Sequence, residues 1–199
     1  MKKMTILDRI LLLITGLLAA YLIIAGIDGF STVPIIAFTI AFGILLVAGL
    51  LLIILGFSVL ESPIVVILST IIPLSLSLGL VWEYFPAWKI GYLVFALVGL
   101  TAVIITRTST KGKGAVITLA TVHGVAGVLI TFVPFILSIN GTTSGRFAFV
   151  GVGGALIGIG GLLLAFLKTG KPILSKERIL SVLPALLLLM TLAYVIGFG

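Results

Sequence analysis

The chain has 199 residues, of which 61% are hydrophobic and only 9% charged, and its mean hydropathy is +1.48. A soluble domain is about a quarter charged, and the few polar residues here could not cover the apolar surface of a core in water. That excludes a soluble globular domain and predicts an all-α, polytopic membrane helix bundle, one transmembrane domain over 1–199.

A helix needs about 20 apolar residues to cross the hydrocarbon. Seven stretches qualify, at roughly 10–27, 33–57, 62–82, 88–106, 115–139, 147–167 and 179–198. Lipid offers no partner to unpaired backbone groups, so continuous apolar runs read as helices, not barrel strands. The start, Met1-Lys2-Lys3 before an apolar run, resembles a signal peptide. That run is longer than the usual apolar region, however, and no small-residue cleavage site follows it, so it is read as the first span.

Asp28-Gly29-Phe30-Ser31 separates spans one and two. Pro34, Pro63 and Pro86 lie at or near the starts of spans two, three and four, where a missing N–H costs little, and Ser62 is placed to cap span three. Pro73 interrupts span three and frees the carbonyl of Ser69. Ser69, Thr70, Ser75 and Ser77 surround it; they either re-satisfy the backbone or line a polar pathway. Trp82, Tyr84, Phe85 and Trp88, with Tyr92 a turn deeper, suit an interfacial anchor, and Glu83 among them reads as a solvated loop carboxylate.

Span five carries His123, the single histidine. An ionisable group at such depth is a functional-site candidate: it could contact haem or quinone, or be a neutral ring bonded to a backbone carbonyl. One histidine cannot supply both axial ligands of a bis-histidine haem. With no Cys there are also no thiolate sites, so no metal site is predicted. Gly151, Gly154, Gly158 and Gly161, then Ala165, recur in span six at spacings of three and four. Ala120, Gly124, Gly127 and Thr131 answer in span five. Each set forms a nearly side-chain-free stripe on one helix face. In lipid such stripes let backbones approach, so the two are expected to pack on each other or on another subunit. Asn140-Gly141-Thr142, between these spans, matches a glycosylation sequon and also suits a tight turn.

Gly49-Leu50, Gly99-Leu100 and Gly161-Leu162 recur near the same end of the even spans, which suggests a degenerate hairpin repeat with a seventh helix appended. The carboxylates Asp8, Asp28, Glu61, Glu83 and Glu177 all fall at loops or span ends. A pump or antiporter normally places such a group at mid-membrane, so ion coupling is disfavoured, and no catalytic set is evident.

Basic residues set the orientation. With the N-terminus inside, Lys2, Lys3, Arg9, Arg107, Lys111, Lys113, Lys168, Lys171, Lys176 and Arg178 are cytoplasmic, and only Lys89 and Arg146 face out. The net charge of +7 is thus a topology signal in short segments, not a nucleic-acid surface. No Gln, a single Asn and three Met suggest a thermophilic source, in a prokaryotic cell membrane. Two functions fit: a non-catalytic subunit that assembles with or anchors a larger membrane complex, such as a respiratory one, or a transporter or channel for a small or apolar solute. The partners expected are the lipid bilayer and other membrane subunits. Reporter fusions within 107–114 and after Gly199 should report opposite compartments; the same compartment for both would end the seven-span reading.

Overall fold

A computed structural model describes residues 3–109, 113–168 and 174–199, leaving aside the side chains of 109, 113, 162 and 164–168. Lys2, Lys111 and Lys171 therefore lie outside the described residues, as do the side chains of Lys113, Lys168 and Ala165. Seven α-helices are present among the described residues: α1 (Ile6–Ala25), α2 (Thr32–Leu55), α3 (Pro63–Tyr84), α4 (Lys89–Ser109), α5 (Lys113–Ile139), α6 (Ala148–Lys168) and α7 (Lys176–Phe198). Short 3-10 turns at Gly56–Glu61, Pro86–Trp88 and Gly145–Phe147 join them. Six helices are long and apolar enough to cross a bilayer, and the described apolar part of the seventh is Gly145–Gly161. At 1.5 Å per residue, the 21 residues of α6 reach about 31 Å, the hydrocarbon thickness.

The first helix starts earlier than the hydropathy suggests. Thr5 and Asp8 form a capping box: the Asp8 carboxylate accepts from the Thr5 N–H at 2.8 Å, and the Asp8 N–H donates to Thr5 Oγ1 at 3.1 Å. Two charged residues, Asp8 and Arg9, therefore sit inside the first turns. Ser62 occupies the cap position of α3, but its hydroxyl makes no capping bond. Arg107, expected in a loop, lies in the last turn of α4.

Consecutive helices are neighbours, as the short connections require, and α1 also packs on α7 while α3 packs on α5. The result is a closed ring, α1–α2–α3–α5–α6–α7, with α4 outside against α3 and α5. The three hairpins are thus not equivalent, since α2 and α6 are ring members and α4 is not. At one end Arg9 Nη1 donates to the Ile53 carbonyl at 2.7 Å, and Lys176 pairs with Glu61 at 2.8 Å. This basic end gathers the starts of the odd helices. The N- and C-terminal helix ends face opposite sides of the layer.

All six ring helices feed one interior cluster, which includes Ala19, Leu22, Phe38, Phe42, Leu76, Leu80, Ile130, Val150, Met190, Tyr194 and Phe198; α4 adds nothing to it. Toward the end away from the basic residues the interior is aromatic. Phe30, Phe38, Phe42, Tyr84, Phe147, Tyr194 and Phe198 stack with centroids 4.8–6.3 Å apart. Such pairs contribute about 0.5–1.5 kcal/mol each beyond their buried area. Tyr84 is thereby drawn inward from the expected interfacial belt, whereas Trp88 remains 70% exposed and Trp82 lies under the Lys89 ammonium at 5.7 Å. A second cluster, Leu74, Ala96, Val103, Val122 and Ala126, fixes α4 to α3 and α5. The third, Leu12, Leu52, Phe57 and Leu180, closes the basic end.

The Tyr194 hydroxyl is fully buried in this interior and has no hydrogen-bond partner among the described residues. A buried unsatisfied hydroxyl costs about 1–3 kcal/mol, while the ring itself packs against Phe42 and Phe198. Tyr194→Phe keeps the ring and should raise the thermal midpoint by a few degrees; a lower midpoint would show that the hydroxyl is satisfied in the native membrane.

Candidate functional site

Of the polar residues in the spans, most hydroxyls are spent on their own helix. Thr15 donates to the Leu11 carbonyl, Thr70 and Ser69 to Val66, and Thr191 to Leu187. Around Pro73, Ser77 Oγ donates to the Pro73 carbonyl at 2.6 Å and accepts from the Tyr92 hydroxyl at 2.7 Å, tying α4 to α3. α3 runs unbroken through Pro73, and the hydroxyls around it close on the carbonyls of Val66, Pro73 and Leu74, not on the Ser69 carbonyl that the proline frees. Glu83 is not simply solvated. Its carboxylate accepts from the Ser31 N–H at 3.1 Å and the Ser31 hydroxyl at 2.7 Å, so α3 caps the start of α2 with a negative charge, favoured by the α2 dipole.

The glycine stripes of α5 and α6 meet only in part. A methyl on Gly151 would come within 2.5 Å of the Thr131 carbonyl and 2.8 Å of the Phe135 ring; on Gly154 it would lie 2.8 Å from Ile130 Cγ2 and 2.9 Å from backbone carbon. Toward the basic end the faces part. A methyl on Gly158 or Gly161 of α6, or on Gly124 or Gly127 of α5, would meet no atom of the described side chains within 4 Å. Ala120 and Gly124 are exposed as well. The α5 residues that receive Gly151 and Gly154 are Ile130, Thr131 and Phe135, a turn or more beyond most of the expected partners. Sequence spacing identifies a face of a helix but not the depth at which a neighbour leans on it.

His123 lies half-buried on α5, beside this open face. Its Nδ1 is 3.2 Å from the Leu119 carbonyl. A carbonyl only accepts, so this is a hydrogen bond when Nδ1 carries the proton, which leaves the Nε2 lone pair as an acceptor. In that tautomer Nε2 suits a metal or a quinol hydroxyl and cannot donate to a quinone carbonyl. Among the described residues no three His, Cys, Asp or Glu side chains cluster to hold a metal ion.

Asn140 follows α5 directly, at the end of the bundle opposite the basic residues. Its N–H donates to the Ile136 carbonyl at 3.0 Å, and Gly141 takes a φ of 70°, where glycine is favoured. Asn140 and Thr142 are both exposed.

Several contacts carry no evident sequence signal. A methyl on Gly79 would collide with the Phe38 ring; on Gly153 it would lie 2.6 Å from Tyr194 Cε1, and on Gly197 2.7 Å from the Val150 nitrogen. These glycines are scattered singly, so only the fold reveals which ring each one receives. Comparison with protein-family models, curated proteins and solved structures finds no match to this chain.

The two halves of the α6 stripe should respond differently. Gly154→Val overpacks the α5 contact and should cost about 1–3 kcal/mol, read as a lower thermal midpoint. Gly158→Val should leave the midpoint of the isolated chain unchanged. Equal effects would mean that α5 and α6 do not separate where the structure parts them.

Proposed function

We propose that the chain is a non-catalytic membrane subunit that assembles with another membrane protein through the open small-residue faces of α5 and α6, as part of a larger complex such as a respiratory one. In this reading it resides in a prokaryotic cell membrane with its basic end toward the cytoplasm. The observation that carries the proposal is a contrast. The ring interior is filled by side chains from all six of its helices, while Ala120, Gly124, Gly158 and Gly161 face outward. Acyl chains pack against a glycine face no better than against any other, whereas a second helix gains close backbone approach there. A transporter or channel is less well supported. The hydroxyls about Pro73 close on local carbonyls, and two shallow depressions among the described residues lie elsewhere. One, of about 350 Å³, is lined by Leu97, Val98, Thr101, Ala102 and Ile105 on α4; the other, of about 90 Å³, lies between α1 and α2.

The test is the native mass of the particle extracted from its own membrane in mild detergent. Wild type should run as a particle heavier than the 20.8 kDa chain with a stoichiometric second chain. Gly158→Leu should lose that chain while still folding, and Gly91→Leu, at an equally open glycine of α4, should retain it. A wild-type protein that runs alone, or a partner that survives Gly158→Leu, counts against the proposal.

A further inference from the structure

Arg107 stands apart from the other basic residues. It lies on the same face of α4 as the fully buried Val103, one turn nearer the basic end, so its stem runs into the corner between α3, α4 and α5. Its Nε is buried without a partner, and among the described residues no hydrogen bond or ion pair engages the guanidinium. The side chain as a whole is half-buried, and its two Nη groups are not among the buried unpartnered atoms, which leaves them to the surface. The carboxylates of this end belong elsewhere: Asp8 to the cap of α1, Glu61 to the turn that pairs with Lys176, and Glu177 to the first turn of α7. A cation so placed has been desolvated in part without compensation.

Its depth completes the argument. Arg107 is 18 residues beyond Lys89 along α4, a rise of about 27 Å. The two charges therefore bracket a hydrocarbon layer of about 30 Å, and Arg107 sits at headgroup level. We infer that Arg107 holds the phosphate of an anionic lipid headgroup in the corner of α3, α4 and α5. The buried stem fixes the side chain, so little rotamer freedom is lost on binding, and the outward Nη pair offers the two parallel donors that a phosphate takes. Arg9 and Arg178 contribute only long-range attraction: Arg9 already donates to the Ile53 carbonyl, and Arg178 is exposed on α7. The inference is independent of the proposed subunit role, because it concerns a different face of the bundle.

The experiment uses the full chain in neutral detergent, stripped of lipid, with bound lipid counted by native mass measurement during titration. Wild type should retain one phosphatidylglycerol about tenfold more tightly than Arg107→Gln does, with no such difference for phosphatidylcholine. Arg178→Gln removes the same formal charge and should bind phosphatidylglycerol as wild type does. If Arg107→Gln does not fold, Arg107→Lys decides: it keeps the charge but loses the planar fork, and should bind more weakly than wild type. Equal phosphatidylglycerol binding by wild type and the Arg107 variant, or equal weakening by Arg178→Gln, overturns the site. Inorganic phosphate at millimolar concentration displacing the lipid completely would assign it to a soluble anion instead, and would overturn the lipid as occupant.

Discussion

Between helices in a bilayer there is no hydrophobic drive, because acyl chains are as apolar as leucine, so a bundle holds only where surfaces come close enough to collect dispersion and hydrogen bonds. Here that closeness depends on glycines that receive a neighbour's bulk. Gly79 admits the Phe38 ring from α2 to α3, Gly153 admits Tyr194 from α7 to α6, and Gly197 lets the α6 backbone at Val150 rest on α7. Around these contacts the ring of six helices shuts, and the aromatic side chains it encloses leave the interior filled. What remains for interaction is on the outside: the parted faces of α5 and α6, and the corner where α4 meets α3 and α5.

The position of α4 follows from the same logic. It carries none of the side chains of the ring interior. A separate apolar cluster holds it, helped by the Tyr92–Ser77 hydrogen bond and by Gly99, where a methyl would lie 3.1 Å from Val122 of α5. α3 and α5 can then touch directly and run the same way, with α4 as the crossover that returns the chain between them.

Helix number, approximate limits and the gathering of basic residues at one end were legible in the sequence, because hydropathy over some twenty residues and the placement of Lys and Arg are properties of the chain alone. Local polar chemistry was less so. Asp8 and Arg9 look like residues of a leading segment until the Thr5 capping box shows that the helix already contains them. Glu83 looks solvated until Ser31, 52 residues earlier, is brought beside it. The α6 glycine spacing marked a contact face, and the contact with α5 at Gly151 and Gly154 lies on it. Of the α5 set only Thr131 meets it, while Gly124 and Gly127, nearer the basic end, stay open: spacing marks the face but not the depth at which the neighbour touches it. The Phe38–Gly79 and Tyr194–Gly153 contacts were not legible at all, since nothing in a one-dimensional pattern pairs one ring with one glycine.

An odd number of alternating helices also has an electrical consequence. Four of the seven described helices, α1, α3, α5 and α7, begin at the basic end, and three begin at the other, so one helix dipole is left unopposed. It places the equivalent of about half a positive charge at the basic end and half a negative charge at the far end. With the basic end inside, that dipole lies along the field of an energised membrane, whose interior is negative. A full charge crossing the membrane potential is worth about 2.3 kcal/mol per 100 mV, so the backbone alone contributes about 1 kcal/mol per 100 mV toward this orientation. The lysines and arginines of the loops and the bare peptide groups of the helices thus favour the same topology, and energising the membrane strengthens it.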